Sequence, residues 1–418
     1  MEILSIGEKI KRARIYKGYT LKDLCDGKIS VSKMSCIENN KIGLEQEVLD
    51  LIISKLEMDI DYLKESIEDQ IKRNITTCDY KHGNEAYEKE MFYNLEVSES
   101  YEYYDLAFEI LHKLFLYFLD FNFEDKLEDI LARYYDLCMK SSSEENKLIY
   151  NMDMGIYLYE NKEYIQAINY FETLRKRINN KNEYVEYINE SLYKEAYCYL
   201  MIKNYSKAYE LAMRILDYEN KLTDHKKIAE VYHLIAVLRL RIKKKDYNEY
   251  EEKSELNNRE DFVKKAENKF DYASIFFEMK ENKKATEYIR EAISFYPHKD
   301  KYMYAKFLLD CLEQLIENEE FEAADNFCED SLNYAISLNN DELIERAYYY
   351  KSLILCKQNN FISAEMYINL SLDVLTKFGT RSEIYERYMN IGNLYSKCGA
   401  VSDSLKYFSL AIALEKKF

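Results

Sequence analysis

Small side chains recur through this chain at a nearly constant interval. Gly155, Ala196, Ala236, Ala273, Cys311, Ser352 and Gly392 are separated by 41, 40, 37, 38, 41 and 40 residues. Twelve residues after each stand Ala167, Ala208, Asn248, Ala285, Ala323, Ala364 and Ser404. Paired small positions let two helices cross closely. A unit that can bury its apolar face only against its neighbours predicts a stacked array and not one rounded core. Phe171, Ile289, Phe327, Ile368 and Phe408 fall four residues after the second small position, and Tyr199 and Tyr395 three after the first. The strings ENKEY, IKNY, KENKK, ENEEF, KQNNF and SKCGA read as the turns between paired helices.

This spacing resembles the tetratricopeptide repeat, lengthened from 34 residues by about six, or somewhat more than one helical turn. Composition agrees: one proline, nine glycines and no tryptophan, beside 42 tyrosines, point to an all-α chain. Pro297 sits where the unit beginning near residue 266 should end. The third unit is irregular, with Asn248 at its second small position. The highly charged segment Lys243 to Asp261 there predicts a longer loop or a partly solvated helix. Residues 67–150 are expected to hold two more degenerate hairpins, one around Phe115, Leu127 and Leu131.

An array of this kind implies a right-handed superhelix whose concave face, built from the first helix of each unit, suits an extended peptide. Positions three before, one after and four after the first small residue nominate Tyr193, Tyr197, His233, Phe277, Tyr349 and Asn393 as groove residues. Asn151, Arg346 and Asn390 stand beside them as hydrogen-bonding partners for a peptide backbone or carboxylate.

The first 66 residues follow a different pattern. Ile6, Ile10, Ala13 and Ile15 predict a helix over about 6–17, closed by Gly18. Thr20 caps a short second helix with Asp23 as its acidic partner, and Gly27 closes it. Ser30 then caps a third helix in which Met34 and Ile37 face inward and Val31, Ser32 and Lys33 outward. Small polar side chains and a cation on the first turn can reach base edges in a major groove. Val48, Leu49, Ile52, Ile53, Leu56, Ile60 and Leu63 supply supporting helices. Charge is divided accordingly: +4 over residues 1–41, −5 over 42–66 and −16 over 67–418, so only the amino-terminal end favours phosphate.

The string GKISVSKMSCIENNK, residues 27–41, resembles the signature of phage-repressor-like helix-turn-helix domains, and its short turn is similar to the Rgg and PlcR branch. The resemblance implies that Val31, Ser32 and Lys33 face bases while Ser35, Asn39 and Lys41 approach phosphates, with Ser30, the cap of that helix, counted among the DNA-binding residues. Leu21 stands where many relatives carry a phosphate-contacting Gln, and Asn40 replaces the usual Gly. Such a domain (1–66) before a tetratricopeptide array (67–418) is similar to the RRNPP peptide-sensing regulators of Gram-positive bacteria, including the RstA type. The resemblance implies a homodimer that binds a double-stranded DNA operator under the control of a short signalling peptide. The alternative is an adaptor that captures a signalling protein such as a response regulator or kinase.

No Gly-rich phosphate loop, metal-spaced His/Cys cluster or nucleophile motif occurs, and His82, His112, His225, His233 and His298 are dispersed. No catalytic residue, metal or cofactor is therefore expected. Nine cysteines without a CxxC pair, and the lack of a signal peptide or long apolar run, predict a cytoplasmic chain with reduced thiols and no membrane partner.

Overall fold

The computed structural model describes residues 2–77, 85–178, 184–218, 224–397 and 399–415. Cys78, His82 and Cys398 lie outside the described residues, and the seven described cysteines are free thiols. The chain is all-α, with no strand among the described residues, and it divides into two compact units, Met1–Cys198 and Tyr199–Phe418. The amino-terminal helices belong to the same unit as the first hairpins. No described helix is long and apolar enough to cross a membrane.

The amino-terminal head contains α1 (Ile6–Tyr16), α2 (Leu21–Cys25), α3 (Val31–Glu38), α4 (Gln46–Leu56) and α5 (Ile60–Lys64). Local chemistry sets these boundaries. Ser5 with Glu8, and Thr20 with Asp23, form reciprocal capping boxes, each satisfying backbone donors that a helix start leaves open. Gly18 takes a left-handed conformation (φ 71°) that releases the chain from α1, with the Tyr19 amide donating to Arg14 O. Ile10, Leu24, Met34, Ile37, Val48, Leu49, Ile52, Leu56 and Leu63 form the core of the head. Ile15, counted above in the helical stripe, is 59% exposed, because α1 contacts α3, α4 and α5 through the face that carries Gly7 and Ile10.

The rest of the first unit is built from α6 (Ile67–Thr77), α7 (Glu85–Ser100), α8 (Tyr104–Asp120), α9 (Glu124–Lys140), α10 (Glu144–Glu160), α11 (Tyr164–Ile178) and most of α12 (Val185–Met201). α6 packs on α7, and α8 pairs with α9 around Phe115 and Leu127, at the place expected for a degenerate hairpin. α10 pairs with α11, where Gly155 of α10 meets the ring of Phe171.

The second unit continues with α13 (Tyr205–Leu216), α14 (His225–Arg241), α15 (Tyr247–Asn257), α16 (Phe262–Glu278), α17 (Asn282–Phe295), α18 (Lys301–Glu317), α19 (Phe321–Leu338), α20 (Asp341–Lys357), α21 (Phe361–Leu375), α22 (Arg381–Lys397) and α23 (Val401–Glu415). Consecutive helices pair as 14 with 15, 16 with 17, 18 with 19, 20 with 21 and 22 with 23, and successive first helices also touch, α14 on α16 and α18 on α20. Every residue of α14 from Val231 to Leu240 is buried. The segment from Lys243 contains α15, a short helix that buries Tyr247, Glu251 and Ser254 despite its charge.

Turns within the hairpins are uniform. Residues 161–163, 202–204, 279–281, 318–320 and 358–360 each place a left-handed residue at the centre: Lys162, Lys203, Lys280, Glu319 and Asn359, with φ of 63°, 62°, 63°, 63° and 62°. The next amide donates back to the helix, as in Glu163 N to Leu158 O and Glu281 N to Phe276 O. The turn between α14 and α15 keeps the left-handed centre at Lys243 (φ 58°) and the return bond from the Lys244 amide to Arg239 O, but runs two residues longer, through 242–246.

Candidate DNA-reading helix and groove residues

Ser30 stands at the N-cap of α3 and its hydroxyl accepts the Lys33 amide at 3.1 Å. Met34 and Ile37 turn into the head core, which leaves Val31 (44% exposed) and Ser32 on the surface. Lys33, on the same turn, donates its ammonium to Glu45 at 2.8 Å. Ser35 is half-buried and its carbonyl accepts the Asn39 side-chain amide at 2.7 Å; Asn39 and Lys41 are exposed. Asn40 adopts the left-handed conformation (φ 56°) that a Gly would supply, so this departure from the signature keeps the turn. Leu21 packs against the head core.

The head's positive charge is mostly committed internally. Lys9 is 1% exposed and donates to the carbonyls of Tyr62 (2.7 Å) and Glu65 (2.9 Å), with burial pushing its pKa down. Arg12 pairs with Glu2, Arg14 with Glu38, Lys17 with Glu57 and Lys33 with Glu45. Lys11, Lys22, Lys28 and Lys41 are exposed and carry no ion pair among the described residues. Lys22 on the first turn of α2 and Lys28 in the turn before α3 were not singled out from sequence. Their position beside the capping residues Thr20 and Ser30 was the available signal.

A chain of polar contacts joins this helix to the first hairpin. Asn40 Oδ1 accepts the Gly7 amide at 3.0 Å while its Nδ2 donates to Ser5 Oγ at 2.7 Å. Gln70 of α6 accepts the Leu4 amide at 3.0 Å and donates to the Leu4 carbonyl at 2.9 Å; the Ile3 amide donates to Tyr93 Oη of α7. Gly7 permits this, since a Cβ there would lie 2.5 Å from Ile37 O.

The groove nominees divide between the units. In the first, Asn151 is buried and donates to Lys147 O of its own helix at 2.6 Å. Tyr193 and Tyr197 are half-buried and meet edge to face, ring centroids 5.0 Å apart. In the second, Phe277 is 2% exposed in the core, so the sequence's assignment of it to a groove is corrected. On α16 its side chain packs between helices. His233 is 4% exposed, held at 3.0 Å from Tyr272 Oη and 3.1 Å from Asp271. Arg346 bonds Asp310 (2.8 Å), Glu313 (3.2 Å) and Tyr350 Oη (3.3 Å).

Tyr349 and Asn390 are brought together from α20 and α22, Asn390 Nδ2 donating to Tyr349 Oη at 2.8 Å. Asn393 is exposed one turn further on. Sequence reasoning missed Arg387, whose guanidinium lies 3.3 Å from the Tyr349 ring centroid and reaches the buried Glu345 at 2.5 Å. Burial pushes the Tyr349 phenol up. No sequence period marks Arg387, because it lies five residues before Gly392, away from the positions three before, one after and four after the first small residue.

No family model matches the chain, and no curated protein matches it. Among solved structures, the chain is similar to the apo form of the quorum sensor NprR from B. thuringiensis, with 16% identity, 85% of this chain and 100% of that one covered, and a TM-score of 0.45. It is similar to a Rap protein complexed with competence and sporulation factor, with 13% identity, 84% and 96% covered, and a TM-score of 0.45. It is also similar to Bacillus thuringiensis PlcR in complex with the peptide PapR7 and DNA, with 16% identity, 61% and 94% covered, and a TM-score of 0.34.

Proposed function

We propose that this chain is a sequence-specific DNA-binding transcription regulator. In this reading residues 1–66 form the reading head and residues 67–418 an array that binds a short signalling peptide and holds two copies together. The observation that supports it best is the outward first turn of α3. Ser30 caps it, Val31 and Ser32 are exposed, Lys33 lies on the same turn, and the unpaired Lys22, Lys28 and Lys41 flank it in sequence. Helix capping fixes the direction of the turn, and unpaired lysines supply the sequence-independent attraction that positions a protein on phosphates.

Two heads reading successive major grooves must stand about 34 Å apart. A peptide shifts that spacing only as far as its affinities for two arrangements of the array differ. Tyr349, Asn390, Arg346 and Asn393 are the second unit's candidates for peptide contact, and Tyr193 and Tyr197 those of the first; buried Asn151 and His233 would act from behind them. The test is a mobility-shift titration of the full-length protein on its own promoter region. Binding lost in a Ser32→Ala/Lys28→Ala/Lys41→Ala variant that keeps its helical circular dichroism supports the reading. Equal binding by that variant rejects it.

The neutralisation of Lys33, Arg12, Arg14 and Lys17 favours a second reading, an adaptor for a signalling protein, in which DNA contact is secondary. Retention of a response regulator by the full chain, with no shift of promoter DNA, would select it.

A further inference from the structure

The second helix of each hairpin turns a stripe outward, at positions two before, two after and six after the second small residue. α13 fills it with Ser206, Glu210 and Arg214, and α17 with Lys283, Glu287 and Glu291, all exposed. α19 places Asp325 and Glu329 there. α21 breaks the pattern with Ile362, Met366 and Leu370, all exposed, Ile362 at 86%. Three large apolar side chains spaced four apart lie along one helix face, over about 12 Å. Leu410, at the position of Leu370 one hairpin later, is exposed as well.

α23 adds a second apolar face. One residue after the second small position, earlier hairpins bury Ile168, Thr286 and Ala324; eight after it they bury Ile293, Ser331 and Leu372. At these two positions α23 exposes Leu405, at 59%, and Ile412. An uncovered face at the end of a repeat array ordinarily carries polar side chains. Tyr407 Oη of α23 donates to Asn369 Oδ1 of α21 at 3.2 Å, so the two faces adjoin. Apolar side chains scattered singly on a surface need no partner, but adjoining ones mark a place of contact.

Charge selects what covers this surface. Residues 67–360 hold 41 Lys/Arg against 58 Asp/Glu, a balance of −17, whereas residues 361–418 hold seven against six, a balance of +1. A basic partner is drawn to the acidic hairpins instead. A partner as acidic as this chain is repelled along those hairpins, and comes within a Debye length of the array, about 8 Å at physiological salt, most readily where the net charge vanishes. A second copy, with its own net charge of −17, is such a partner. It also brings the same near-neutral apolar surface to the contact, the self-complementarity that a two-fold pair requires.

We propose that the apolar surface of α21 and α23 is the contact between two copies of this chain, paired about a two-fold axis. The inference rests on the reading that the array holds two copies together, and it names the surface that does so. Sedimentation velocity of the full-length protein in about 0.15 M and about 1 M sodium chloride tests it. A dimer is expected that is at least as tight in the higher salt, because screening weakens the mutual repulsion and leaves apolar contact intact. Met366→Glu/Leu405→Glu should raise the dimer dissociation constant at least tenfold with unchanged helical circular dichroism. Ile165→Glu, which charges an exposed apolar residue of α11 two before Ala167, should leave that constant unchanged. A chain that stays monomeric at every concentration, a dimer as tight in the double variant, or equal dissociation by Ile165→Glu overturns the assignment. A dimer that fails to shift promoter DNA supports this surface while rejecting the DNA-reading role; a monomer that shifts it does the reverse.

Discussion

Gly155 on α10 lies against the ring of Phe171 on α11, sixteen residues later, so closely that a Cβ on the glycine would fall 2.5 Å from Cε1 of that ring. Gly392 and Phe408 repeat the relationship in the last hairpin, again at 2.5 Å. Both contacts join the two marks of the repeat, the first small residue and the aromatic four positions after the second.

Gly155→Ala must therefore displace a fully buried ring. Overpacking of this kind costs about 1–3 kcal/mol, against a gain of under about 1 kcal/mol from replacing a helical glycine. Thermal denaturation should show a lower midpoint, and Gly155→Ala/Phe171→Leu should recover part of it.

Lys162 occupies a left-handed turn position that Gly399 fills in the last hairpin. A left-handed L-residue costs about 1–2 kcal/mol, offset in part by the greater unfolded-state freedom of glycine. Lys162→Gly should raise the stability of the first unit by roughly 0.5–1 kcal/mol, read as a higher denaturant midpoint at unchanged slope.

The Lys33–Glu45 pair competes with any phosphate or base for the lysine. An exposed pair is worth about 0–1 kcal/mol, while a base contact gives about 1–3 kcal/mol, so DNA should win. Lys33→Ala should weaken promoter binding about tenfold or more. Glu45→Gln should strengthen it severalfold in the native background but much less in Lys33→Ala, a coupling that a double-mutant cycle on mobility shifts measures.

Gln70 fixes the Leu4 backbone through both its amide and its carbonyl. Removing a partner of a buried polar group costs about 1–3 kcal/mol. In Gln70→Ala the Leu4 amide should exchange its hydrogen faster, and promoter affinity should fall while array helicity stays unchanged. Unaltered exchange at Leu4 would show that this side chain does not hold the amino-terminal segment.

Asp105 ties the start of α8 to the turn before α10, accepting from the Ser141 hydroxyl at 2.5 Å, the Ser142 hydroxyl at 2.8 Å and the Ser142 amide at 3.1 Å. These donors hold its carboxyl below the ordinary range near 3.8. A depressed folded pKa means that the unfolded state binds the proton more readily. The contribution is complete above the unfolded value and disappears as pH falls through the folded one. Acid unfolding followed by circular dichroism should become less steep in Asp105→Asn, and the thermal midpoint of that variant at pH 7 should lie below that of the native chain.

Much of this was written locally in the chain. Ser5, Thr20 and Ser30 set helix starts through hydrogen bonds to amides three residues away, and the interval from Gly155 to Gly392 set the hairpins, because such contacts depend on residues near in sequence. What tertiary structure decided was the fate of individual polar and aromatic side chains. Phe277 went to the core, Arg387 came over Tyr349, and Lys33 found Glu45, twelve residues away on another helix start. Helical periodicity gives the direction of a side chain around its own axis. Partners carried by a neighbouring helix decide whether that direction meets solvent, a charge or a packed ring.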